Sequence, residues 1–141
     1  MSTRSYIFVE KNCKLRGIYC HWDGYPDGVG DTLREFYNTQ EAAESLIELG
    51  SISSLHEDLD RTVAYHRDSG EELRILEFDD LKTFEKFLKG SWASYYYLFF
   101  RGEWYVCSCA NIEQGPWIKV KDYLNGVFTD GIFGGEYKES K

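Results

Sequence analysis

The sequence predicts an α+β fold, an antiparallel sheet of four to six strands with about three helices packed on it. Two hairpin patterns and two amphipathic helical patterns support this prediction. With 141 residues, 43% of them hydrophobic, the chain has the length and composition of one soluble domain. A chain of this size can bury enough surface to fold without a disulfide or a metal. We therefore expect a single α+β domain over residues 1–141.

The N-terminal part is predicted to form a hairpin followed by two helices. Residues 5–10 and 15–21 are predicted to form two strands of a hairpin, joined by a tight turn. Thr32 and Glu35 have the spacing of a capping box, which places a helix start immediately after the glycine-rich segment that ends at Gly30. A second helix is expected to start at residues 38–39 and to end at the glycine at position 50.

The middle of the chain predicts two short strands and a third helix. Residues 62–66 are expected to be extended and residues 67–70 to form a turn, with another strand at 74–78. Asp80 is a favourable residue for a helix N-terminus, and an apolar stripe continues from there to Gly90.

The C-terminal part contains the clearest hairpin. Residues 95–100 and 103–109 flank the two-residue turn Arg101-Gly102. The first arm is apolar on both faces, which indicates a central strand covered by helices on at least one side. Residues 117–124 fit a strand or a short helix, and the glycine-rich tail from residue 126 onwards is expected to be irregular.

Charge and composition exclude several classes of function. The net charge is −8 and the pI about 4.9, so direct nucleic-acid binding is not expected, whereas a protein partner with a basic groove is favoured. No apolar run has the length of a membrane span, and the N-terminus lacks the apolar core of a secretion signal. We expect a cytoplasmic protein whose four cysteines are free thiols.

The connection at residues 19–30 is the most informative segment of the chain. It combines three glycines and a proline with a cysteine, a histidine, two aspartates and large aromatic residues. Loops that carry such side chains on a rigid frame are where binding and chemistry tend to be found. The candidate binding residues here are Cys20, His21, Trp22, Asp23 and Tyr25.

Two histidine–aspartate pairs form a second candidate constellation. His21 and Asp23 follow one predicted strand, and His66 and Asp68 follow another. If those strands are neighbours, the four side chains converge and can hold a divalent metal or perform acid–base chemistry. Alternatively, each aspartate orients the backbone of its own turn. No spacing matches a known catalytic signature, so we predict no catalytic residue.

Three cysteines and a histidine are the candidate zinc ligands. Cys107 and Cys109 lie on one face of a strand and, with Cys20 and His21, could form a zinc site. The alternative is that these cysteines are buried as small apolar side chains, which free cysteines often are. We expect no cofactor, and zinc is the alternative.

Four segments in roughly the first half of the chain form a recognisable pattern. They are residues 2–5 (STRS), 18–26 (IYCHWDGYP) with 28–30 (GVG), 49–55 (LGSISSL) and 64–73 (AYHRDSGEEL). In these segments the chain resembles a family of small bacteriophage and prophage proteins of unknown function. The resemblance implies an accessory protein that works by binding a host protein. It gives no catalytic residue.

Three functions follow as hypotheses. The first is a phage-encoded protein that counters a bacterial defence system, such as an anti-CRISPR-type inhibitor that occupies a basic nucleic-acid groove. The second is a sponge in which Trp22 and Tyr25 stack a nucleotide signal. The third is a metal-dependent hydrolase that uses the two histidine–aspartate pairs. A homodimer is compatible with the sequence.

Overall fold

A mixed β-sheet is the centre of the protein. The computed structural model describes residues 3–108 and 117–127, together with the backbone of residues 131–132. Nine strands form one sheet in the order β4-β3-β2-β1-β6-β7-β8-β9, and β5 pairs with β2 beside this path. The strands are β1 (Ser5–Lys11), β2 (Lys14–Cys20), β3 (Ile52–Ser54), β4 (Val63–Ala64), β5 (Leu76–Phe78), β6 (Tyr95–Phe100), β7 (Glu103–Ser108), β8 (Trp117–Lys119) and β9 (Gly131–Ile132).

The predicted α+β class is confirmed, but the expected sheet was too small and its strand directions were only partly right. β1 pairs in parallel with β6, and β2 pairs in parallel with β3. β4 and β5 lie within the predicted extended segments 62–66 and 74–78, and β8 lies within the ambiguous segment 117–124, whereas β3 and β9 have only three and two residues, too few to show alternation in a sequence. The sheet is mixed because helical segments return the chain before β3 and β6, which allows a parallel pairing.

Within the described residues, five α-helices surround the sheet, where about three were expected. They are α1 (Asp31–Phe36), α2 (Gln40–Ile47), α3 (Tyr65–Ser69), α4 (Leu81–Gly90) and α5 (Val120–Leu124), and a π-helical turn (Pro26–Gly30) precedes α1. One buried cluster lies between the sheet and α1, α2 and α5, and a second lies between the opposite face and α4. The central strands are therefore covered on both faces, as the doubly apolar pattern of β6 requires.

Helix starts depend on local capping groups. Thr39 accepts a hydrogen bond from the Ala42 amide (3.1 Å) at the start of α2, and Asp80 accepts one from Thr83 (2.7 Å) at the start of α4. The helix start predicted immediately after Gly30 is confirmed, but the expected capping box at Thr32 was wrong. α1 begins at Asp31, and the Thr32 hydroxyl instead donates to the Gly28 carbonyl (3.0 Å), which belongs to the π-helical turn.

Two other segments differ from their predictions. Residues 65–69 form a helical turn rather than an extended end and an open turn, and it ends at Gly70 in the left-handed conformation. Residues 117–124 contain both of the predicted alternatives, β8 followed directly by α5. Of the tail, residues 128–130 and 133–141 lie outside the described residues.

The pairing of β1 with β2 brings a glycine against a phenylalanine. Gly17 lies directly opposite Phe8 in the ladder, and a Cβ at Gly17 would lie 2.1 Å from Phe8 Cδ1. Phe8 is fully buried and its ring packs edge-to-face on Phe84 of α4, with 4.8 Å between centroids. The absence of a side chain at position 17 is therefore a requirement of the core.

Candidate functional site

Three segments of the chain meet at one end of the sheet. Thr3 and Arg4 precede β1, residues 21–27 follow β2, and residues 91–94 precede β6. Because β1 is antiparallel to β2 and parallel to β6, all three segments lie at the same end. The Gly24 amide donates to the Thr3 carbonyl (2.8 Å), and the Ser94 amide donates to the Arg4 carbonyl (2.9 Å). We call residues 21–27 the aromatic turn.

Backbone hydrogen bonds fix the aromatic turn from several sides. The amides of His21 and Trp22 donate to β3 carbonyls, at 3.2 Å and 2.9 Å, which extends the parallel pairing beyond β2. The Val29 amide donates to the Asp23 carbonyl (2.9 Å) and closes the turn. The buried Tyr97 hydroxyl donates to the Gly24 carbonyl (2.6 Å) from β6. The turn is thus part of the sheet framework.

Close contacts explain two glycines in this segment. A Cβ at Gly24 would lie 2.6 Å from the Thr3 carbonyl oxygen, and a Cβ at Gly28 would lie 2.6 Å from the Asp23 carbonyl oxygen. Both distances are to backbone atoms, which cannot move aside without breaking the hydrogen bonds that hold the turn. Asp23 itself has a φ of 59°, a left-handed conformation that aspartate tolerates better than most residues.

The aromatic turn presents rings and carboxylates to solvent. Trp22 is 44% exposed and Tyr25 is 40% exposed, and the carboxylates of Asp23 and Asp27 are also exposed. The Tyr25 hydroxyl donates to Asp23 Oδ1 (3.1 Å), and this hydrogen bond raises the pKa of Tyr25. The Trp22 ring is held edge-to-face against His21, with centroids 4.7 Å apart.

His21 ends a row of rings on the sheet face that α4 covers in part. Its Nδ1 lies 2.8 Å from the Tyr19 hydroxyl, and Tyr19 packs against Tyr6 across the β1–β2 ladder with centroids 5.5 Å apart. Tyr6 in turn stacks on Tyr96 of β6. The Arg4 guanidinium lies close enough to Tyr6 and Tyr19 to lower their pKa values, although burial raises both overall.

Cys20 is not accessible to a ligand. It is fully buried, and its thiol donates to the Trp22 carbonyl (3.5 Å). Burial raises the pKa of the Cys20 thiol to about 12. The inclusion of Cys20 among the residues that contact a partner is therefore corrected, because its side chain supports the aromatic turn from inside.

The two histidine–aspartate pairs are not brought together. β3 lies between β2 and β4, and β4 runs antiparallel to β2, so the chain leaves these strands in opposite directions at His21 and His66. His66 Nδ1 lies 2.7 Å from the Glu71 carbonyl. Asp68 accepts from the Arg67 guanidinium, which lowers the pKa of Asp68, and from the Ala64 amide at 2.8 Å. This geometry matches the alternative in which each pair orients its own turn.

The candidate zinc ligands are separated as well. Cys20 belongs to the cluster on one face of the sheet and Cys107 to the cluster on the other, so they cannot bind one ion. Cys109 lies outside the described residues. Among the residues that are described, no group of three or more histidine, cysteine or acidic side chains is placed to hold a metal.

Arg4 and Trp92 are additional residues at this end of the sheet that the sequence analysis missed. Trp92 is 89% exposed, in the connection between α4 and β6, and Arg4 is also exposed. The signal for Trp92 was a tryptophan among small residues just after a helix-ending glycine. This is the same argument that singled out Trp22.

A cavity of about 520 Å³ opens at the opposite end of the β1–β2 hairpin. Charged residues of both signs surround its apolar floor. Lys11 pairs with Glu44 (3.4 Å), and Arg16 pairs with both Glu48 (2.5 Å) and Glu77 (3.1 Å). Both cations are thus paired with carboxylates of the protein itself.

Comparisons with protein-family models, with curated proteins and with solved structures found no match to this chain. Within the described residues, no helix has both the length and the apolar character needed to cross a membrane.

Proposed function

We propose that this is a phage-encoded accessory protein that binds a host protein through the aromatic turn and thereby counters a bacterial defence system. The most concrete form is an anti-CRISPR-type inhibitor that occupies a basic groove. The observation that carries the proposal is the exposure of Trp22 (44%) and Tyr25 (40%) on a turn held by the sheet. The phage origin rests on the sequence resemblance.

The side chains of the turn are those that dominate protein interfaces. Tryptophan and tyrosine are enriched among the residues that carry most of the binding energy. Because the turn is bonded to β1, β3 and β6, little conformational entropy is lost when these rings are buried by a partner.

Charge supports a basic partner surface. Asp23 and Asp27 place carboxylates beside the two rings, and the whole chain carries a net charge of −8. Complementary potentials accelerate encounter and disfavour acidic partners. A groove that normally binds nucleic acid has the positive charge that this turn would complement.

The geometry favours binding over the two other hypotheses. A hydrolase would need the two histidine–aspartate pairs in one place, and β3 separates them. A nucleotide sponge would enclose most of its ligand, as small-molecule sites do. Trp22 and Tyr25 instead lie on an open turn, a shape suited to a macromolecule.

A defence assay tests the proposal. Cells with an active CRISPR–Cas system are transformed with a targeted plasmid, with and without expression of the protein, and other defence systems are tested in the same way with phage infection. We expect the wild-type chain to block one defence system and the Trp22→Ala/Tyr25→Ala double variant to leave that system active. Leu73→Ala, which removes another 45% exposed side chain, is the matched control and should still inhibit. Inhibition of no system, or full inhibition by the double variant, would refute the proposal.

A further inference from the structure

A stripe of lysines runs along the exposed side of α4. Lys82, Lys86 and Lys89 are spaced four and three residues apart, so they lie on one face of the helix. All three are exposed, whereas Phe84 and Leu88 face the core. From Lys82 to Lys89 the stripe extends over roughly 10 Å of helix axis. We call these three residues the lysine stripe.

The lysine stripe differs from the paired cations of the protein, although Glu85 is exposed on the same helix, and the pKa of Asp80 is lowered by its hydrogen bond with the Thr83 amide and also by the charge of Lys82. Within the described residues, none of its lysines lies within ion-pair distance of a carboxylate, and neither does Arg4. By contrast, seven cations elsewhere are paired: Lys11, Lys14, Arg16, Arg34, Arg61, Arg67 and Arg74. With Glu85 included, α4 exposes three positive charges and one negative charge, which is a local excess of positive charge in a chain with a net charge of −8.

Trp92 and Arg4 extend the lysine stripe beyond the end of α4. Trp92 follows Lys89 by three residues and is 89% exposed, so nearly its whole ring is open to a ligand. The Arg4 backbone accepts a hydrogen bond from Ser94, and its charge acts on Tyr6, whose ring contacts Phe87 of α4. Cations and an open aromatic face are thus combined on one side of the protein.

We propose that the lysine stripe, Arg4 and Trp92 form a binding surface for single-stranded nucleic acid. Proteins that bind single strands without sequence preference combine cations that follow the backbone with aromatic rings on which bases stack. Here the lysines contact phosphates and the Trp92 ring stacks on an unpaired base. A duplex is a poorer ligand, because its bases are already stacked on one another.

An anionic bilayer is the other partner that lysines and a tryptophan suggest. A helix that lies in a membrane surface needs an apolar face free to enter the lipid. Phe84 and Leu88 of α4 are already buried, to 1% and 3% exposure, and the exposed apolar side chains here are Leu81 (37%) and Trp92 (89%). Two such side chains give little affinity for lipid, so the geometry favours nucleic acid.

The overall negative charge weakens such binding without preventing it. At physiological salt the screening length is about 8 Å, so charges on remote faces act weakly on a strand that touches the lysine stripe. This inference revises the expectation from net charge, and it does not depend on the proposed function of the aromatic turn.

Fluorescence anisotropy of a labelled oligothymidylate, measured over a range of salt concentrations, tests the inference. With four cations in contact, the slope of log affinity against log salt is expected to be roughly −3, at about −0.7 per cation. Lys82→Gln/Lys86→Gln/Lys89→Gln should reduce the magnitude of the slope by about 2. Trp92→Ala should weaken binding about tenfold, since stacking of one base contributes about 1–3 kcal/mol. Lys121→Gln, an exposed lysine on α5, is the control and should bind as the wild type does.

Three results would overturn the inference. They are no binding at low salt, binding that survives both the triple lysine change and Trp92→Ala, and flotation with phosphatidylserine vesicles in the absence of oligonucleotide binding. Because all substituted side chains are exposed, circular dichroism should show unchanged folding for every variant.

Discussion

Tyr97→Phe should destabilise the protein by removing one buried hydrogen bond. The Tyr97 hydroxyl donates to the Gly24 carbonyl at 2.6 Å, and both residues are buried. The substitution removes no carbon atom, so no cavity is added. It leaves the Gly24 carbonyl without this donor, and an unsatisfied buried group costs about 1–3 kcal/mol. We therefore expect the free energy of unfolding to fall by about 1–3 kcal/mol.

Urea denaturation followed by circular dichroism measures this effect. With a denaturant slope of about 2 kcal/mol/M, the midpoint should fall by roughly 0.5–1.5 M. Tyr105→Phe is the matched control, because Tyr105 is also buried in a neighbouring strand but its hydroxyl makes no hydrogen bond within the described part of the chain. Equal midpoints for Tyr97→Phe and the wild type would show that the aromatic turn does not depend on this hydrogen bond.

Three further predictions follow from packing and burial. Gly17→Ala should lower the free energy of unfolding by about 1–3 kcal/mol, because the new Cβ would overlap Phe8. A Cβ at Gly90 would have no atom within 4 Å, so Gly90→Ala should leave the stability equal or higher. Equal shifts of the urea midpoint in the two variants would contradict this. In the folded protein, iodoacetamide should label the exposed Cys13 and spare Cys20, as peptide mass spectrometry can determine. Folding raises the pKa of Cys20 from 9.0 to about 12. The stability that this buried neutral thiol contributes is therefore present below pH 9.0 and is lost as the pH rises from 9.0 towards 12. Between pH 8 and 11 the free energy of unfolding, measured by denaturation, should fall more steeply for the wild type than for Cys20→Ala.

The sequence was sufficient where one local rule decided the structure. The first hairpin, the Asp80 cap, the Gly90 end of α4 and the hairpin around Arg101-Gly102 were all predicted close to their observed positions. Each depends on residues that are near one another in the chain. Strand alternation, a capping side chain and a turn glycine are sufficient signals at that distance.

Prediction failed where distant segments decide the outcome. The strand predicted at residues 74–78 is present, but only over residues 76–78, where it pairs with residues 15–17 of β2. The separation of His21 from His66 depends on β3 being inserted between their strands, which no local pattern reveals. Trp92 was missed for a different reason, because its neighbours in the sequence do not show that residue 94 is hydrogen-bonded to Arg4 at the same end of the sheet.

The pairing of β1 with β6 also has a consequence for synthesis on the ribosome. Residues 5–9 pair with residues 95–99, so the middle of the sheet cannot assemble until about two thirds of the chain has been made. Until then β1 is paired with β2 alone and its other edge is open. Once residues 95–100 have been made, this apolar stretch must pair with β1 before it associates with another chain. Contacts this distant slow folding, and exposed strands of this composition associate readily. Yield in an expression host should therefore depend on temperature and chaperone supply more than on the stability of the finished protein.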